Sequence, residues 1–188
     1  MRQRALADDD SQPVIVPRSH KVLGVTSPER ARRLRRHLVM TLRPMRETHA
    51  APTTSPRAEP EGFAAHVATA ACTLCKGWCC KGGGDHAYLD AQTLARVRSA
   101  EPELSRREVA RLYLERVPRA GYDGSCVFHG ERGCTLTRSL RSDVCNSYFC
   151  AGLEAFMTSG DPDTPVIVIA GEGADMRTSP ALKPGFVR

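Results

Sequence analysis

The stretch Cys72-Thr73-Leu74-Cys75-Lys76-Gly77-Trp78-Cys79-Cys80 packs four cysteines into nine residues, in the pattern C-x2-C-x3-C-C. Four more follow at Cys126, Cys134, Cys145 and Cys150. A thiolate is the softest ligand a protein side chain offers, and C-x2-C is a ligand-pair spacing, so clustered thiols point first to zinc or iron. All eight, Cys72, Cys75, Cys79, Cys80, Cys126, Cys134, Cys145 and Cys150, are candidate metal ligands. The expected fold is α+β: a small cysteine-rich, metal-centred domain with short strands and about four helices.

An even number of cysteines also suits a disulfide framework, which requires an oxidising compartment. The start MRQRALADDD has charge but no apolar signal core, and no apolar run reaches the ~20 residues of a membrane helix. A cytoplasmic chain with reduced thiols is the expectation. With 188 residues and 41% hydrophobic content, one modest core plus extensions is expected.

Composition divides the chain at about residue 60. Residues 1–60 carry twelve of the 27 Lys and Arg but six of the 21 Asp and Glu, the whole formal excess of +6. Pro13, Pro17, Pro44, Pro52, Pro56 and Pro60 interrupt this segment, so it reads as a mostly disordered basic arm. One helix is expected within it over 27–42, with Ser27 as cap, Pro28 in the first turn and Pro44 past the end. Its arginines offer weak contact to nucleic acid or an anionic surface, with Leu34, Leu38 and Leu42 as an apolar stripe. Against this, Arg outnumbers Lys 23 to 4 throughout, as a GC-rich genome produces, and the arm has no aromatic residue for base stacking.

Residues 61–170 are expected to form the cysteine-cluster domain and 171–188 a loose tail. Gly62–Ala71 reads as a helix leading into the first cysteines. Gly82-Gly83-Gly84 lacks the Lys-Ser/Thr of a phosphate loop and reads as backbone passing close to a metal, its N–H groups aimed at sulfur. Ala87-Tyr88-Leu89 reads as a short strand, and Asp90 as the cap of a helix running to Arg98. Ser105 and Glu108 make a capping box, with Leu104 and Val109 as its hydrophobic staple.

Cys126-Val127-Phe128 and Cys134-Thr135-Leu136 read as a hairpin that brings Cys126 beside Cys134. A helix is expected over 142–158. Cys145 and Cys150, five residues apart, would then point about 140° apart, so either that helix starts late or the two serve different partners. Adjacent Cys79 and Cys80 pose a related problem, since in extended backbone they face opposite ways. Pro165–Ala170 reads as a strand in need of a partner: Tyr88-Leu89, the hairpin or another chain. His86 and His129 are alternative ligands, and Cys126 near His129 is the local candidate for a catalytic thiol, a geometry that nearness in sequence does not establish.

These residues resemble the YkgJ-type cysteine-cluster family, a zinc- or iron-chelating domain. The resemblance runs over about residues 70–151 and rests on the first four-cysteine motif, Cys126-x-Phe128, Cys134-x-Leu136, and Arg141 four before Cys145. Thr137 stands where members carry Tyr, Ser142 where they carry Pro, and one residue more separates Cys134 from Cys145. The cluster is also similar to that of flagellin lysine methylases, which implies an iron–sulfur accessory or methyl-transfer-related role as the alternative; no Gly-rich strand-to-helix motif for S-adenosylmethionine accompanies it. Zinc in four thiolates would hold the fold by on the order of 10 kcal/mol. An iron–sulfur cluster would be coloured and redox-active.

Overall fold

The computed structural model describes residues 10–43 and 60–185. Pro44, Pro52 and Pro56, on which part of the disordered-arm reading rests, lie outside the described residues. The elements run β1 (Gln12–Val16), β2 (Leu23–Val25), α1 (Pro28–Thr41), α2 (Gly62–Cys75), α3 (Ala91–Ala100), α4 (Arg106–Leu114), β3 (Ala120–Tyr122), β4 (His129–Gly130), β5 (Gly133–Cys134), α5 (Asp143–Ser147), α6 (Ala151–Ser159), β6 (Val166–Ala170) and β7 (Arg177–Thr178), with short 3-10 turns at Trp78–Gly82, Arg138–Leu140 and Gly173–Asp175. The fold is small and α+β, as expected. It carries six α-helices among the described residues rather than about four.

The chain divides into two compact units rather than into arm, domain and tail. The first takes described residues 10–19, 60–78 and 149–185, the second 20–43 and 79–148.

In the first unit β6 is the central strand of the order β1-β6-β7. Its partner is none of those expected: β1, from the supposed arm, lies parallel to it with Val14 opposite Val168, and β7, from the supposed tail, lies antiparallel. Leu182 adds a bridge to Val166. The strands alternate, burying Val14, Val16, Val166, Val168 and Ala170. Val67, Ala71 and Cys75 of α2 and Leu153 of α6 complete this core. A side chain at Gly152 would overlap the Ile15 carbonyl, so glycine is what lets α6 lie against β1.

The second unit carries the four-stranded sheet β2-β3-β4-β5 and the helices α1, α3, α4 and α5. Helix α1 forms as expected, but its apolar stripe is core: Leu34 and Leu38 are fully buried and Leu42 nearly so, among Leu89, Leu94, Val109, Tyr113 and Phe128. Burying one such leucine contributes about 1.5–3 kcal/mol, which outweighs the arm's polar composition. Of its arginines Arg30 is largely buried, while Arg32, Arg33, Arg35 and Arg36 stay exposed. Arg30 Nε and Arg33 Nε donate to the two Asp85 oxygens at 2.6 and 2.5 Å, and Arg30 also donates to the Ser125 carbonyl.

Helix α3 starts at Asp90, which accepts from Thr93 N at 2.7 Å, and α4 starts at the full Ser105–Glu108 capping box. Ala87-Tyr88-Leu89 is no strand. Ala87 and Tyr88 take φ +52° and +55°, the left-handed region that side chains disfavour, and the segment is a tight turn. The helix expected over 142–158 is broken: Tyr148 is extended, α5 ends at Ser147, and α6 restarts with Cys150 as its N-cap.

Candidate metal centre

The nine-residue motif is split between the units. Cys72, Cys75 and Cys150 belong to the first, and Cys79, Cys80, Cys126, Cys134 and Cys145 to the second. No disulfide joins any of the eight.

In the first unit α2 continues past the expected Ala71 through Cys75, which sets Cys72 and Cys75 one turn apart. Cys72 is exposed and Cys75 buried, and the Cys75 sulfur accepts from Trp78 N at 3.3 Å. Lys76 ends the helix in the left-handed conformation. Cys150 flanks the same apolar cluster as Cys75. The broken helix resolves the angular conflict between Cys145 and Cys150, since the two lie on separate helical segments and in separate units.

In the second unit, backbone hydrogen bonds stitch the Cys79–Gly84 segment to the segment around Cys126. Cys126 N donates to Cys80 O at 2.9 Å and Val127 N to Gly84 O at 2.8 Å. The glycine run has a local cause. A Cβ on Gly83 would stand 2.9 Å from Cys126 Cβ and 3.1 Å from its sulfur, and one on Gly82 would overlap the Tyr88 hydroxyl. Gly83 N, however, donates to Cys80 O at 3.2 Å rather than to sulfur. The backbone passes close to Cys126 and Tyr88, and the Gly83 N–H is not aimed at sulfur.

The expected hairpin exists in another register. Its strands are His129–Gly130 and Gly133–Cys134, with His129, not Cys126, opposite Cys134. Cys126 lies in the turn before it, where its carbonyl accepts from His129 N at 2.9 Å.

Cys145 is set by the chain that follows β5. Ser142 Oγ accepts from Cys145 N at 3.2 Å, and Arg96 of α3 donates to the Ser139 and Arg141 carbonyls at 2.7 and 2.6 Å. Arg138 and Asn146 exchange bonds across the same bend, and Arg141 Nε donates to Leu136 O at 3.0 Å.

Electrostatics tie these five thiols together. The 3-10 turn replaces the extended backbone that would have opposed Cys79 and Cys80, and the two thiols interact strongly. That interaction, helped by backbone N–H groups and the Arg141 charge, draws Cys79 down to about 7. Cys80 is driven strongly upward, first by the same interaction, then by burial and by the charges of Cys79, Cys126 and Cys134. Burial pushes Cys126 up to about 12, with Cys134 and Cys145 adding to it. Cys145 is likewise raised by burial, then by Cys134 and Cys79. Thiols that raise one another's proton affinity are close enough for several negative charges to be costly without a cation.

Among the described residues, no group of three or more His, Cys, Asp or Glu side chains is placed so that it holds a metal ion. The donor set itself is soft, five thiols from separate segments, and of the type that zinc and iron–sulfur clusters take.

The histidines separate clearly. His86 is exposed, its Nδ1 accepting from Tyr88 N at 3.1 Å and its ring 5.7 Å from that of His37. His129 is 1% exposed, with Nδ1 2.8 Å from Ser125 Oγ. It therefore pairs with Ser125 and not with Cys126. A buried Cys126 held mostly as thiol lacks the activated thiolate that nucleophilic catalysis needs. Among the thiols of this unit it is Cys79, beside Cys80, that is drawn downward.

The chain matches no family model, no curated protein and no solved structure. No helix among the described residues is long and apolar enough to cross a membrane.

Proposed function

We propose that this protein binds metal, as zinc or as an iron–sulfur centre, through the thiols of its second unit. What carries the reading is the mutual electrostatic coupling of Cys79, Cys80, Cys126, Cys134 and Cys145, which come from four separate chain segments. A divalent ion or an iron–sulfur cluster would compensate the charge of the deprotonated thiols that burial otherwise disfavours. Arg141 adds positive charge beside Cys79 and Cys145, and Lys21 stands within the fields of Cys80 and Cys126. The resemblance to the YkgJ-type family rests on Cys72 and Cys75 as well as on these cysteines, with Phe128, Leu136 and Arg141.

Anaerobic purification followed by elemental analysis and absorbance tests the proposal. A colourless protein with stoichiometric zinc selects the structural ion. A brown protein with iron and acid-labile sulfide selects the cluster. Well-folded protein holding neither overturns the reading.

A further inference from the structure

Strand β2 is an edge of the second unit's sheet, and all three of its residues are exposed. Val22, just before it, is 73% exposed, Leu23 37% and Val25 90%. A side chain at Gly24 would meet nothing within 4 Å, so the strand is open on that face too. Apolar edges are templates for further pairing, and folded proteins blunt them with charge, proline, a bulge or a covering element. The first unit does this where α6 lies against β1 at Gly152. Along Val22-Leu23-Gly24-Val25 there is no charge and no proline, and among the described residues no strand lies beyond it.

The phase of the ladder shows which groups are left to pair. Asp123 N donates to Val22 O and Thr26 N to Arg119 O, both at 2.9 Å. Bonded pairs alternate along an antiparallel ladder, so Val22, Gly24 and Thr26 turn their backbone groups toward β3. Leu23 and Val25 therefore turn their N–H and C=O groups outward.

This outward edge fits its own reverse. With a second copy antiparallel to it about Gly24, Leu23 faces Val25 of the second copy and Val25 faces its Leu23, each at a position free to bond. These side chains share one face of the sheet and close into an apolar cluster. Lys21 faces Ser27 of the second copy, so no like charges are opposed. Centring the pair on Leu23 instead would set Val25 against Lys21 and lose the apolar pairs.

We propose that β2 is a self-association edge, through which two copies of the chain pair antiparallel by Leu23 and Val25 and join their four-stranded sheets into one. A stable interface takes about 800 Å² from each partner, more than one short strand supplies, so this dimer comes apart on dilution. The pairing needs no metal.

Sedimentation equilibrium of the full chain from about 1 μM to 1 mM, the range of weak affinities, tests it. The expected mass rises with concentration from 20.5 kDa toward twice that value. Amide exchange at Leu23 and Val25 slows over the same range, and less so at Gly24, which is already bonded to β3. Val25→Lys, at an exposed position, should stay at 20.5 kDa throughout with unchanged circular dichroism. If that variant misfolds, the wild-type amides decide. A wild type that stays monomeric overturns the pairing. So does a dimer that leaves exchange at Leu23 and Val25 unchanged, or one undiminished in folded Val25→Lys.

Discussion

At the scale of single residues, chemistry is set by neighbours more than by residue type. Cys79 and Cys80 are adjacent and alike, yet the interaction between them pulls one down to about 7 and drives the other upward. In metal-stripped protein, alkylation by iodoacetamide followed by peptide mass spectrometry should find Cys79 first, its rate rising with a midpoint near pH 7. Cys80→Ala removes that neighbour and should move the midpoint upward; an unchanged midpoint would refute the pairing. Gly83 is fixed by sterics in the same place. Gly83→Ala would press a methyl group against Cys126 and should cost about 1–3 kcal/mol in denaturant unfolding. The run Gly82-Gly83-Gly84 reads from the sequence as backbone passing close to a metal, whereas the neighbours that fix it are Cys126 and Tyr88, the first some forty residues away and hidden from local reading.

At the scale of elements, local signals were reliable where the cause is local. The Asp90 cap, the Ser105–Glu108 box and the strand ending at Ala170 follow from side-chain hydrogen bonds or a β-branched apolar run within a few residues. Other elements depend on distant partners. β1 is recognisable as a strand only beside β6, and the leucines of α1 become core only when Val109, Tyr113 and Phe128 are present. The hairpin was visible as two β-prone pieces, whereas its register, with His129 opposite Cys134, is set by the turn at Gly130–Gly133. The Asp85 clamp on α1 belongs at this scale. Burial raises the Asp85 carboxyl, but the hydrogen bonds and charges of Arg30 and Arg33 win and hold it below its ordinary value. A depressed carboxyl stabilises the fold above its unfolded value, and that contribution is lost as pH falls below about 4. Asp85→Asn should therefore cost about 1–3 kcal/mol at neutral pH, as hydrogen bonds to charged groups do. The cost should shrink in acid, as measured by urea unfolding at both pH values. An equal cost at both would show that the clamp is not ionic.

At the scale of the whole molecule, the cysteine motif was legible as a ligand set, and its distribution was not. Proline and basic composition suggested an arm, a domain and a tail, yet the described residues 10–43 and 60–185 divide into two units that each draw on distant parts of the chain. Strand pairing and leucine burial made that division, and neither has a compositional signature. Five of the eight thiols consequently fall in the second unit, with Arg141 and Lys21. Under the proposed function these thiols share one inorganic centre. Metal per chain, determined on anaerobically prepared wild type, Cys126→Ser and Cys134→Ser, tests it most directly. Stoichiometric zinc or iron is expected in the wild type, with most of it lost in each variant. Full metal retained in both variants, or a folded wild type with none, would contradict it.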